Sequence, residues 1–136
     1  MTGFPLKIVT PDGLIYDGQA EMVVVRTAEG DMAVMARHIN CVVPLGMGTA
    51  TITANGERKI AACIGGMLSV VNGECTLVPT TFEWAEDIDV SRAIKAQEKA
   101  QAILDAKKDD EVAQKLAEAK LRRALIRQNV AAQYKG

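Results

Sequence analysis

The chain is 136 residues long, 49% hydrophobic and 24% charged, the balance of a folded domain, or a domain with an appendage, rather than a disordered chain. A net charge of -1 argues against bulk nucleic-acid or membrane-surface binding, and the longest mostly apolar stretch, Ile60 to Leu68, is far too short to span a bilayer. Nothing near Met1 reads as a signal peptide; Cys41, Cys63 and Cys75 are too widely spaced for a metal knuckle and suggest reduced thiols in a cytosol-like compartment; and a single histidine, His38, removes the usual parts of zinc or His-dependent catalysis.

In chain order, short β-rich runs alternate with turn signals. Leu6–Thr10 ends at Pro11-Asp12-Gly13, Leu14–Tyr16 ends at Asp17-Gly18, and Glu21–Thr27 runs into Glu29-Gly30-Asp31. Asn55-Gly56 separates Thr49–Thr53 from Arg58–Ile64, and Asn72-Gly73 separates Met67–Val71 from Cys75–Val78. Asn-Gly is a strong hairpin signal because a type I′ turn needs positive φ at both central residues. With no room for crossover helices, nine or ten such strands predict an antiparallel β-sandwich or flattened barrel. Runs such as Met22–Val25 lack clean alternation, which predicts strands covered on both faces.

Composition changes near Trp84. Residues 1–84 hold ten of the eleven glycines, all four prolines and thirteen charges, whereas residues 85–136 hold twelve alanines, twenty charges and no proline. The expected domains are therefore a sandwich over 1–84 and a helical pair over 85–136, an α+β fold with its two classes segregated along the chain. Asp87 or Asp89 can cap the first helix, with Val90, Ala93, Ile94, Ala100 and Leu104 as its apolar positions. Lys107-Lys108-Asp109-Asp110 breaks the pattern before a second run with Val112, Leu116, Ala119, Leu121 and Leu125, which predicts an antiparallel hairpin. Its alanine-rich stripes bury little area, so it is expected to be loosely held and able to move. The first helix region, 86–111, carries a net -3 and the remainder a net +5, making the second helix a basic rod.

These parts, in this order, resemble the epsilon subunit of bacterial and chloroplast F-type ATP synthases. The resemblance rests on Val9-Thr10-Pro11-Asp12-Gly13 with Tyr16, on Gly30–Val34 leading to His38, and on Gly65–Val70. It continues through Ala85–Ala93 at the junction and Leu121-Arg122-Arg123-Ala124. The central loop departs from a usual Gly-Ile/Leu-x-Pro-Gly-His-x-Pro pattern, with Ala33, Ala36, Arg37 and Asn40 around the retained His38. Altered stiffness and backbone angles are expected there.

The resemblance implies a non-catalytic rotor-stalk subunit of the F1 sector (CF1 in chloroplasts), serving proton transport and ATP synthesis. Its sandwich would grip the gamma subunit and touch the c-subunit ring, with Asp31 and His38 as rotor contacts. A local hydrogen bond is the alternative role for His38. The hairpin would either fold back or extend toward the alpha and beta catalytic subunits, inhibiting ATP hydrolysis. The implied location is peripheral, on the cytoplasmic face of the bacterial membrane, with the membrane reached only through the complex and no nucleic-acid partner.

The chain has no phosphate-binding Gly-x-x-x-x-Gly-Lys-Ser/Thr string, so it is not expected to be an NTPase. Some bacterial epsilon subunits nevertheless bind ATP through an Ile/Leu-Asp-x-x-Arg-Ala motif, which Ile88-Asp89-Val90-Ser91-Arg92-Ala93 matches. A capped helix start is the plainer reading of that string. In an antiparallel hairpin turning near Asp109-Asp110, residues whose numbers sum to about 219 lie opposite, which brings Arg92, Lys99, Arg123 and Arg127 together. Arginine forks suit phosphate oxygens and lysine acts as a point charge. Asp89 and Glu83 are candidates for the base or ribose end, with Ile88 and Ala93 as apolar walls; ATP, with or without magnesium, would be a regulatory ligand and no catalytic cofactor is expected. Catalytic and metal-ligating residues are not expected. The competing readings are a free-standing ATP sensor and a static structural adaptor. An acid-catalysing enzyme built on Asp87 and Asp89 is disfavoured, because residues i and i+2 of a helix point apart.

Overall fold

A computed structural model describes residues 2–135. It divides into two compact units, Met1–Trp84 and Ala85–Gly136, each of which is built by a different rule.

The first unit is a sandwich of two five-stranded sheets. Its strands are β1 (Phe4–Thr10), β2 (Gly13–Ala20), β3 (Met22–Thr27), β4 (Gly30–Val34), β5 (Cys41–Pro44), β6 (Met47–Ala54), β7 (Glu57–Ile64), β8 (Met67–Val71), β9 (Glu74–Val78) and β10 (Thr81–Trp84). One sheet has the order β2-β1-β9-β8-β5 and the other β10-β7-β6-β3-β4. Every pair is antiparallel except β1 with β9, which run parallel through Leu6↔Cys75, Lys7↔Thr76 and Ile8↔Leu77. The antiparallel expectation thus meets one exception, made where the first strand inserts beside the ninth.

Strand alternation builds the core. Phe4, Leu6 and Ile8 from β1 meet Val23 and Val25 from β3, Leu68 and Val70 from β8, and Cys75 and Leu77 from β9. The expectation of full cover on both faces of Met22–Val25 gives way to alternation, with Val23 and Val25 buried and Met22 and Val24 half-buried. Both Asn-Gly pairs adopt the left-handed angles that a type I′ turn demands, with φ of 54° and 77° at Asn55-Gly56 and 49° and 83° at Asn72-Gly73. Two other hairpins share a second device. The Thr10 hydroxyl bridges Gly13 O (3.3 Å) and Asp12 N (3.2 Å), and the Thr27 hydroxyl bridges Gly30 O (2.7 Å) and Glu29 N (3.2 Å). At the end of the sandwich, Phe82 and Trp84 meet edge to face at 5.0 Å and the Lys59 ammonium lies 4.5 Å from the Trp84 ring centre.

The second unit begins with a single 3-10 turn, Ala85–Asp87, followed by α1 (Val90–Ala106) and α2 (Glu111–Lys135). Its buried positions are small: Ala85, Ala93 and Ala100, then Ala117, Ala124, Val130 and Ala131. Alanines seven residues apart on both helices permit close approach of the backbones. Of the larger side chains expected to pack, Val90, Leu104 and Leu121 are half-buried, whereas Val112 at 69%, Leu116 at 59%, Leu125 at 44% and Ile94 at 40% exposure point outward. The latter occupy helical faces displaced from the alanine stripe, which takes the seam because small residues pack most closely. Among the described residues no helix is long and apolar enough to cross a membrane.

Candidate functional site

The string Ile88–Ala93 forms a helix start. Asp89 has an extended backbone, φ -83° and ψ 100°, and its carboxylate accepts from Arg92 N at 3.1 Å. This is an N-cap that satisfies one of the first unpaired amides of α1. Ala93 is buried, Ile88 half-buried, and Arg92 is exposed one position before Ala93.

The seam of the helical pair is identified by a hydrogen bond across it. Gln128 Nε2 donates to Gln97 Oε1 at 2.7 Å. Near the turn, Gln114 Nε2 donates to Leu104 O and to Lys107 O, both at 2.9 Å. The pairs 104/114, 107/114 and 97/128 sum to 218, 221 and 225, and this range includes the expected sum of about 219. Within it, the levels of Arg92 and Arg127 differ by at most six residues, roughly 9 Å along the helix axes.

Their sides can be worked out as well. At about 100° per residue, Arg92 and Lys99 lie roughly 105–125° round from the Ala93–Gln97–Ala100 stripe. Arg123 and Arg127 lie roughly 80–120° round, in the same rotational sense, from the Ala117–Ala124–Gln128 stripe. In an antiparallel pair, equal senses of rotation place residues on the same side. The four cations thus share one side of the hairpin, with Arg92 and Lys99 exposed and Arg123 and Arg127 half-buried. The remaining candidate, Glu83, is half-buried in β10 of the other unit.

The candidate rotor contacts belong to the sandwich. Asp31, on β4, pairs with Arg26 at 3.3 Å, both side chains being more than half exposed, so the bridge contributes little to stability. His38 N donates to Met35 O at 3.2 Å, closing a turn whose third residue, Arg37, has φ 68°. Positive φ at that position alone marks a type II turn, which favours Pro then Gly at its centre. Ala36 and Arg37 stand there instead, so the left-handed angle is adopted by an arginine. His38 Nδ1 lies 2.8 Å from Ile39 O and therefore carries the proton of that hydrogen bond; Cys41 Sγ is 4.0 Å from the same nitrogen.

Two features carried no strong sequence signal. The outer face of the first sheet bears a cross-strand row Pro44–Met67–Val78, with Val42 in the next row beside Ser69 and Val71 in the row beyond, and the four hydrophobic side chains Met67, Val78, Val42 and Val71 are 42–65% exposed. Strict alternation would have exposed the row once the register was known. The glutamine pair was also missed, although Gln97 and Gln128 both sit at seam spacing from buried alanines. Among the described residues no group of three or more His, Cys, Asp or Glu side chains is placed to hold a metal.

Comparisons with known proteins match both units. Residues 3–85 match the ATP synthase delta/epsilon chain β-sandwich domain, and residues 86–132 match the delta/epsilon chain long α-helix domain. The ATP synthase epsilon chain of Shouchella clausii is 38% identical over 131 residues, covering 96% of each chain. That of Bacillus velezensis is 39% identical over 126 residues, covering 93% of this chain and 95% of the relative. In structure, a chain of the Euglena gracilis mitochondrial ATP synthase (OSCP/F1/c-ring, rotational state 1) superposes with a TM-score of 0.83 at 24% identity. It covers 98% of this chain and 82% of its own, a likeness of fold. The chain belongs to the epsilon subunits of F-type ATP synthases, non-catalytic members of that complex.

Proposed function

We propose that this subunit sits on the rotor stalk and reports ATP to the machine through its hairpin. The observation carrying this reading is the gathering of Arg92, Lys99, Arg123 and Arg127 on one side of the helical pair. Arginine forks with a lysine point charge beside them suit a polyphosphate, which they would hold through charge-assisted hydrogen bonds. ATP held by the closed pair stabilises it by RT ln(1 + [ATP]/Kd), so falling ATP shifts the population toward an opened hairpin. The opened form presents the basic second helix to acidic surface on the alpha and beta subunits and arrests hydrolysis when fuel is scarce.

The sandwich serves as the fixed end. Its exposed Pro44–Met67–Val78 row with Val42 and Val71 is an apolar patch of the kind that marks a protein interface, and we assign it to the gamma subunit. The loop of Met35–Ile39 and Asp31 would face the c ring. The complex would then hold the subunit on the cytoplasmic side of the membrane, where proton transport is coupled to ATP synthesis.

The test is a thermal melt of the whole subunit with and without ATP, repeated with magnesium. The wild-type melting temperature should rise with ATP, and Arg92→Ala with Arg127→Ala should abolish the rise. An unchanged shift in the double variant would remove the site. Capture of the gamma subunit, lost on Met67→Asp, tests the docking face separately.

A further inference from the structure

The helical pair has a weak seam. Alanine supplies nearly all of its fully buried side chains, with Leu104 and Leu121 half-buried on the same faces, and each alanine buries too little area to hold the helices firmly. The alanines also recur every seven residues on both helices, so their packing does not distinguish one alignment from another a heptad away. Something else must fix the closed arrangement. At the turn end that role falls to Gln114, whose amide spans the Leu104 and Lys107 carbonyls and ties the start of α2 to the end of α1. It adds a side-chain partner to the Leu104 carbonyl in the last turn of α1 and to the Lys107 carbonyl, which also accepts from Asp110 N at 3.2 Å.

At the other end, the seam is crossed by Gln97 and Gln128. Their 2.7 Å hydrogen bond is partly buried and joins residues thirty-one apart in sequence. Gln97 lies ten residues, roughly 15 Å, from the loop that begins at Lys107. The connection of Lys107–Asp110 cannot restrain the helices at that distance. We propose that Gln97 and Gln128 form a clasp that holds the far end of the hairpin shut, so that this end opens independently of the end tied by Gln114. The polar pair serves alignment as single polar residues do in coiled coils. Its loss on opening is tolerable because water replaces each amide's partner, which makes the clasp reversible. The inference concerns the closed pair itself and stands whether or not a nucleotide binds.

Amide hydrogen exchange of the full-length subunit tests it, with the sandwich amides as internal reference. Gln97→Leu and Gln128→Leu should each raise exchange about fivefold, the effect of one net hydrogen bond, over residues 93–100 and 124–131. Exchange around Gln114 and in the sandwich should stay at the wild-type rate. Gln97→Lys combined with Gln128→Glu should restore protection, since an ion pair can replace the amide pair across the same seam. Exchange raised evenly along both helices, or unchanged in both single variants, would overturn the clasp. So would failure of the exchanged pair to restore protection while each single Leu variant opens the end, because that pattern belongs to lost packing.

Discussion

At Arg37 the backbone adopts an angle that side chains resist. Its φ of 68° lies in the left-handed region, where an L-residue with a Cβ is strained by about 1–2 kcal/mol relative to glycine. Ala36 stands one position earlier, where a type II turn gains from proline. Arg37→Gly should therefore raise the stability of the sandwich by roughly 1 kcal/mol, and Ala36→Pro should add about 0.4–1 kcal/mol by restricting the unfolded chain. Urea denaturation followed by the fluorescence of Trp84, the single tryptophan, checks both. A loss of stability on Arg37→Gly would show that the guanidinium does more for the fold than the angle takes away. The loop sequence showed which residues depart from the family pattern, but it did not show that the turn geometry survives them. A main-chain hydrogen bond from His38 to Met35 preserves it, and such a bond does not depend on side-chain identity.

At the scale of elements, the legible features were those with local causes. Asn55-Gly56 and Asn72-Gly73 name their turns because few other residue pairs accept two left-handed angles. Lys107–Asp110 names the break between helices because four polar residues interrupt the apolar period. The parallel pairing of β1 with β9 was not legible, since partners almost seventy residues apart leave no local mark. The seam of the hairpin was only half legible: alanines and leucines both recur at helical spacing, and spacing alone does not say which stripe turns inward. The side on which Arg92, Lys99, Arg123 and Arg127 lie follows from helical periodicity only once the seam is known. At the helix start, the Asp89 carboxylate accepts from Arg92 N, a first-turn amide of α1. Asp89→Ala should cost about 1 kcal/mol of hairpin stability and fray residues 90–93, read as a loss of helical circular dichroism near its melting temperature. Asp89→Ser should retain most of both.

At the scale of the whole molecule, stability is tied to two thiols that stay protonated. Burial pushes the Cys63 thiol up to about 12, and burial followed by the neighbouring Cys41 does the same for Cys75. In the unfolded chain both return to about 9. Below pH 9 both states hold the protons and folding is indifferent to pH. Between 9 and 12 the unfolded state releases them and the folded state does not, so stability falls as pH rises. Each thiol contributes a slope of about 1.4 kcal/mol per pH unit over that window. Denaturation at pH 8 and pH 10.5 should show the loss, and Cys63→Ala with Cys75→Ala should flatten it. An equal slope in that double variant would assign the alkaline loss to other groups.

The strand order of the first sheet has a bearing on how the chain is made. β1 cannot gain its second neighbour until β9 exists, because Leu6 pairs with Cys75. Ribosomal synthesis at 5–20 residues per second separates those two by roughly 3–14 s. Through that interval Phe4, Leu6 and Ile8, buried in the finished sheet, have only the β2 side of a lone hairpin for shelter, and an isolated hairpin is marginal in water. The nascent amino terminus thus presents apolar side chains of the kind that holding chaperones bind, and emergence of residue 78 from the ribosome supplies the missing neighbour.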